Sequence, residues 1–132
     1  MNFTSNQPIY TQIIEQVKDR IIRGDYPPGY QLPSRRQLAQ EWKVNPNTVQ
    51  KAFKEMEDLA IIVTPPNRPS IVTTDQVCLR QLKNEALVHS LQALCYLVRD
   101  LDMDLETVID QLRQKYQVNK EEIKHVTDSK PK

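Results

Sequence analysis

Residues 34–59 read Ser34-Arg35-Arg36-Gln37-Leu38-Ala39-Gln40-Glu41-Trp42-Lys43-Val44-Asn45-Pro46-Asn47-Thr48-Val49-Gln50-Lys51-Ala52-Phe53-Lys54-Glu55-Met56-Glu57-Asp58-Leu59 and contain two helix starts in close succession. Ser34 with Gln37 has the spacing of a capping box, in which a hydroxyl accepts the backbone N–H of the residue three positions on. The helix it opens turns Leu38, Ala39 and Trp42 inward and ends near Lys43. Asn45 is then a good N-cap and Pro46 a good first helical residue, its missing N–H being one that has no helical partner there. This next helix runs to about Leu59. At 100° per residue, Val49, Ala52, Phe53, Met56 and Leu59 fall on one side and Asn47, Gln50, Lys51 and Lys54 on the other.

Two short helices joined by a tight turn, the second amphipathic, form a helix-turn-helix. In that unit the first residues of the second helix reach base edges in the major groove of double-stranded DNA. Asn47 and Gln50 can bond adenine, Lys51 can bond guanine, and the Thr48 methyl can touch that of thymine. Arg35 and Arg36 open the helix that crosses the phosphate backbone, so phosphate contact is the expected task of both, although either could instead pair with an acid such as Glu41. The chain carries 18 basic and 17 acidic side chains, for a net charge of +1, which argues against a general polyanion binder. The neutrality is not uniform. Between Arg35 and Lys54 the bases Arg35, Arg36, Lys43, Lys51 and Lys54 face only Glu41.

Upstream, Ile9, Ile13, Ile14, Val17, Ile21 and Ile22 repeat at helical spacing from Pro8 onward, and Gly24 fits the left-handed position past the helix end. Pro28-Gly29 predicts a type II turn. Downstream, Ile61-Ile62-Val63 and Ser70-Ile71-Val72-Thr73 are β-prone and flank Pro65-Pro66-Asn67-Arg68-Pro69, which predicts a hairpin with a proline-stiffened tip. A long helix follows from about Asp75 to Asp100, and Asp104 opens a shorter one ending near Tyr116. The expected fold is mainly α with a small β-hairpin: a winged helix-turn-helix over residues 1–75, a two-helix arm over 76–118 and a frayed polar tail over 119–132.

The arm helix is apolar on two sides. Leu87, Leu91, Leu94, Val98 and Leu101 form one stripe; Leu79, Leu82, Ala86, Ala93 and Leu97 form another about 120° away. One stripe can cover the winged domain and the second arm helix. The other predicts a homodimer, unless that helix and the tail cover both.

No catalytic constellation, metal site or cofactor motif is expected. His89 and His125 lie at no ligand spacing from Cys78 or Cys95, and with only Gly24 and Gly29 there is no phosphate-cradling loop. On one straight helix the two cysteines are roughly 25 Å apart, too far for a disulfide, so they are expected to be small buried hydrophobes in a reduced, cytoplasmic protein. The first residues lack the features of a signal peptide, and no apolar run is long enough to span a bilayer.

The motifs Pro8-Ile9-Tyr10 with Gln12-Ile13, Gly24 to Gly29, Leu32-Pro33-Ser34-Arg35-Arg36-Gln37-Leu38-Ala39, Val44-Asn45-Pro46-Asn47-Thr48-Val49 and Ala52-Phe53 resemble the GntR family of bacterial regulators, continuously to about Val63. The resemblance implies a transcription regulator, a winged-helix repressor binding a palindromic operator as a dimer. It places DNA contacts on Arg35, Arg36, Asn47, Thr48 and Lys51, with a further contact in the minor groove from the wing. Lys43 and Ala60 stand where the family usually has glycine, and Asn67-Arg68-Pro69-Ser70-Ile71-Val72 replaces its glycine-rich wing tip, leaving Arg68 as the wing candidate. The short arm, with Leu105-Glu106-Thr107-Val108-Ile109 after Asp104, is similar to the YtrA branch, whose arm dimerises and forms no obvious metabolite pocket. The alternative class, motivated by the glycine-free wing and the near-zero net charge, is a protein-interaction module that has kept the fold and lost most of its DNA affinity.

Overall fold

The computed structural model describes the backbone of residues 3–129 and the side chains of residues 3–121. The chain divides into two compact units, one reaching Ala86 and one beginning at Leu87.

The first unit is built on α1 (Ile9–Arg23), α2 (Arg35–Trp42) and α3 (Pro46–Asp58), followed by β1 (Ile62–Val63), β2 (Ile71–Val72) and the opening turns of α4 (Gln76–Asp100). The apolar stripe of α1 buries Ile13, Ile14, Val17 and Ile21 against α3, which contributes Val49, Ala52, Phe53 and Met56. Leu38, Ala39 and Trp42 of α2 close the same core. Leu59, which the helical wheel puts on this stripe, is instead half exposed just past the end of α3. Pro8 stands one position before α1, and its carbonyl accepts the Gln12 N–H at 3.3 Å.

Each helix end follows from local chemistry. The Ser34 hydroxyl accepts the Gln37 N–H at 3.0 Å, although the Gln37 amide turns away to Glu41 and leaves the capping box half made. Asn45 Oδ1 accepts the Asn47 N–H at 2.8 Å. Lys43 ends α2 in the left-handed conformation at φ 55°, and Ala60 ends α3 the same way at φ 61°. Around Ala60 both bonds of a Schellman motif form, Ala60 N–H to Glu57 O at 2.9 Å and Ile61 N–H to Met56 O at 3.0 Å. Gly29, at φ 79°, makes the expected turn, with the Tyr30 N–H on Pro27 O.

The hairpin is antiparallel, with Ile62 opposite Val72 and Val63 opposite Ile71. A further bridge, Gln31 to Ile71, adds the segment before α2 to the other edge of β2. Leu79 and Leu82 of α4 are buried in this unit's core. The expected boundary at residue 75 therefore coincides with the start of α4, while the compact unit continues to Ala86.

The second unit comprises the rest of α4 and α5 (Leu105–Ser129). Asp102, at φ 52°, ends α4 with a Schellman pair, Asp102 N–H to Arg99 O and Met103 N–H to Val98 O. α5 does not stop near Tyr116: residues 119–129, expected to be a frayed tail, are helical. The stretch contains no glycine or proline and carries Lys120, Glu121, Glu122 and Lys124, all good helix formers. The Gln117 amide also donates to Glu121 one turn on. Residues 130–132 and the His125 side chain lie outside the described residues.

Both cysteines are free. Neither is fully buried as expected: Cys95 is exposed, and Cys78 is half-buried with its thiol directed at Ala60 O at 3.5 Å. Burial, reinforced by the Asp75 and Glu85 carboxylates, pushes the Cys78 thiol up from its ordinary value.

Candidate nucleic-acid interface

With its apolar side fixed in the core, α3 turns the opposite side to solvent. Asn47, Gln50, Lys51 and Lys54 are exposed there, and Thr48 is half-buried at the edge of the stripe. The short turn from Lys43 to Asn45 delivers the start of α3 next to the end of α2, as a helix-turn-helix requires. Asn45 caps α3 through its side chain, so its amide is occupied while the Asn47 side chain, one position inside the helix, is exposed.

The expected cations fall into different environments. Arg36 is exposed on α2. Lys51 Nζ lies over the Tyr10 ring, 4.0 Å from its centroid. Arg35 does not pair with Glu41. Its Nη2 meets Glu57 Oε1 at 2.6 Å, and its guanidinium carbon lies 4.9 Å from the centroid of the Phe53 ring. The last turns of α3 add Glu55, Glu57 and Asp58, so the basic character runs out along the helix just after Lys54.

At the wing, the Arg68 N–H bonds Pro65 O at 3.1 Å and closes a turn around Pro66 and Asn67. Asn67 takes φ 57°, the positive value that glycine supplies in glycine-rich tips and that asparagine tolerates better than most residues. Arg68 is exposed at this tip. It lines an open cleft of about 520 Å³ together with Ser34, Arg35 and Gln37 from the start of α2. The wing arginine and the entrance of α2 are thus neighbours.

Sequence reasoning missed Tyr10, Glu57, Thr64 and Ser70. The Thr64 hydroxyl donates to Glu57 Oε1 at 3.1 Å and lies 2.6 Å from the Ser70 hydroxyl. None of the four belongs to a motif that periodicity exposes. Among the described residues, no group of His, Cys, Asp and Glu could hold a metal ion, and no helix is long and apolar enough to cross a membrane.

Comparison with known proteins agrees with this geometry. Residues 9–72 match the family model of bacterial regulatory proteins of the gntR family. The chain is 32% identical over 111 residues to the uncharacterized HTH-type transcriptional regulator YhcF of Bacillus subtilis, covering 84% of this chain and 92% of that one. It is 52% identical over 60 residues to the HTH-type transcriptional repressor YtrA of the same organism, 46% of each chain. Among solved structures, a GntR family transcriptional regulator from Listeria monocytogenes superposes with a TM-score of 0.77 at 30% identity, over 85% of this chain and 98% of that one. These relatives are transcriptional regulators and not enzymes. With a winged helix-turn-helix of this geometry and a likeness that extends through the arm, the chain belongs to the GntR family of DNA-binding transcription regulators.

Proposed function

We propose that the protein is a cytoplasmic, homodimeric repressor that binds a palindromic operator in double-stranded DNA. The observation that carries this is the exposed polar face of α3, where Asn47, Gln50, Lys51 and Lys54 stand clear of the core with Thr48 at their edge. On this reading Asn47, Thr48, Gln50 and Lys51 address base edges, whereas Arg36 and Lys54 address phosphates. Arg68 adds a contact from the wing tip.

Dimerisation is assigned to Leu87, Leu91, Leu94, Val98 and Leu101. All but Val98 are exposed in the single chain, and Val98 is half-buried. A two-fold dimer places two reading heads on half-sites about 34–36 Å apart, one turn of B-DNA. Repression is the action named for the relative YtrA.

The acids that end α3 and the glycine-free wing favour a competing class, a winged-helix module that binds protein rather than DNA. Selection of bound duplexes from a random-sequence library, followed by affinity measurements across salt concentration, separates the two. A regulator enriches a palindrome and loses affinity steeply with salt, because each phosphate contact releases counterions. Absence of enrichment at low salt would leave the interaction module.

A further inference from the structure

Four polar side chains form a chain of contacts from the start of α2 to the base of the wing. Arg35 Nη2 binds Glu57 Oε1 at 2.6 Å, and the same oxygen accepts the Thr64 hydroxyl at 3.1 Å. Thr64 follows β1 and Ser70 precedes β2, so the next pair in the hairpin register is Thr64 with Ser70, whose hydroxyls meet at 2.6 Å. Ser70 O then accepts the Leu32 N–H at 2.9 Å, just before α2 begins. The circuit closes on itself. It joins α2, the end of α3 and both strands of the wing.

Arg35 is held on more than one side in this circuit. Its guanidinium covers the Phe53 ring, and its Nε is buried with no hydrogen-bond partner. A side chain extended toward a phosphate would leave Nε in solvent. The Arg35 and Glu57 side chains are each 34% exposed, a setting in which an ion pair adds little net stability. What the pair does supply is direction, because the Glu57 oxygen that meets Arg35 Nη2 is the same one that accepts the Thr64 hydroxyl.

We propose that Arg35 is a positioning residue rather than a phosphate contact: through Glu57, Thr64 and Ser70 it sets the place of the wing, and hence of Arg68, relative to α3. The assignment rests on the DNA-binding function proposed above. It also separates adjacent arginines, with Arg36 left to contact phosphate.

The test compares Arg35→Gln, Glu57→Gln and Arg36→Ala in the full chain. It uses the palindromic duplex recovered by selection, or a fixed random-sequence duplex at low salt if none is recovered. Loss of one phosphate contact lowers the log–log salt slope by about 0.9, and this is the result expected for Arg36→Ala. Arg35→Gln and Glu57→Gln should weaken binding several-fold and shift the slope alike, because both act only through the wing and its Arg68. Both should speed amide hydrogen exchange in residues 63–70 while the amides of α1 and α3 keep their wild-type rates.

A slope loss in Arg35→Gln that Glu57→Gln does not share overturns the proposal, since Glu57→Gln leaves Arg35 free to meet a phosphate. So does tighter binding by Glu57→Gln, the outcome if Glu57 only restrains a phosphate-seeking arginine. Exchange that accelerates throughout the unit would reduce the pair to general stabilisation and also overturn it. Wild-type protein that binds neither duplex would sink the DNA-binding function instead, with the exchange measurement still deciding the circuit.

Discussion

The Lys51 ammonium lies 4.0 Å from the centroid of the Tyr10 ring, so the free protein rests a proposed base-reading cation on the first turn of α1. A cation over an aromatic ring at an exposed site contributes about 0.5–1 kcal/mol. A well-made contact to guanine discriminates by about 1–3 kcal/mol. DNA therefore wins the competition, and Tyr10 holds Lys51 in place without trapping it.

Lys51→Ala should weaken binding to the selected operator by about 1–3 kcal/mol, whereas Tyr10→Leu should shift it by less than about 1 kcal/mol. Fluorescence anisotropy of a labelled duplex measures both. Equal losses in the two variants would assign Lys51 to the ring and not to a base.

The two left-handed helix ends should be improvable. Lys43 at φ 55° and Ala60 at φ 61° each carry a Cβ in a region that costs side-chain-bearing residues on the order of 1 kcal/mol. Lys43→Gly and Ala60→Gly should each raise stability by about 1 kcal/mol, less the entropy glycine adds to the unfolded chain. Chemical denaturation with an unchanged slope and a higher midpoint is the expected record. A fall in the midpoint would mean that these side chains contribute more through contacts than they cost in backbone strain.

Most of the winged unit was legible because local chemistry determines it. Ser34, Asn45 and Pro46 mark helix starts, and the wing strands announce themselves by β-branched residues on either side of a proline-rich tip. The reading head was legible for the same reason, since its polar face is the complement of a buried stripe. Contacts between distant residues were not. Arg35 was expected to meet a phosphate or Glu41, but the carboxylate the fold brings to it is Glu57, on the next helix. Phe3 lies in a segment without pattern, yet its ring packs against Trp42 at 6.5 Å between centroids. Periodicity also fails to say where a helix changes neighbours. Leu79 and Leu97 share a stripe on the wheel, but Leu79 is 6% exposed and Leu97 is 52% exposed. The helical course of α5 past Tyr116 was missed because polarity was read as fraying, although polar residues without a breaker extend a helix readily.

The exposed leucines of α4 make the strongest prediction about assembly. Leu91 and Leu94 are 45% and 37% exposed in the single chain, flanked along the same stripe by exposed Leu87 and Leu101. Burying a fully exposed leucine contributes about 1.5–3 kcal/mol, so the open third of Leu94 contributes roughly 0.5–1 kcal/mol, counted twice in a two-fold dimer. Leu94→Asp removes both copies and places two carboxylates in the seam. The dimer dissociation constant should then rise by roughly tenfold from the lost leucines alone and further from the two carboxylates, read by sedimentation equilibrium. Leu94 lies outside the winged unit, so the circular dichroism of that unit and its non-specific affinity per chain should hold, while affinity for the palindrome falls toward that of a half-site. An unchanged dimer would move the interface to the neighbouring stripe that carries Leu97, where Leu97→Asp becomes the disruptive substitution.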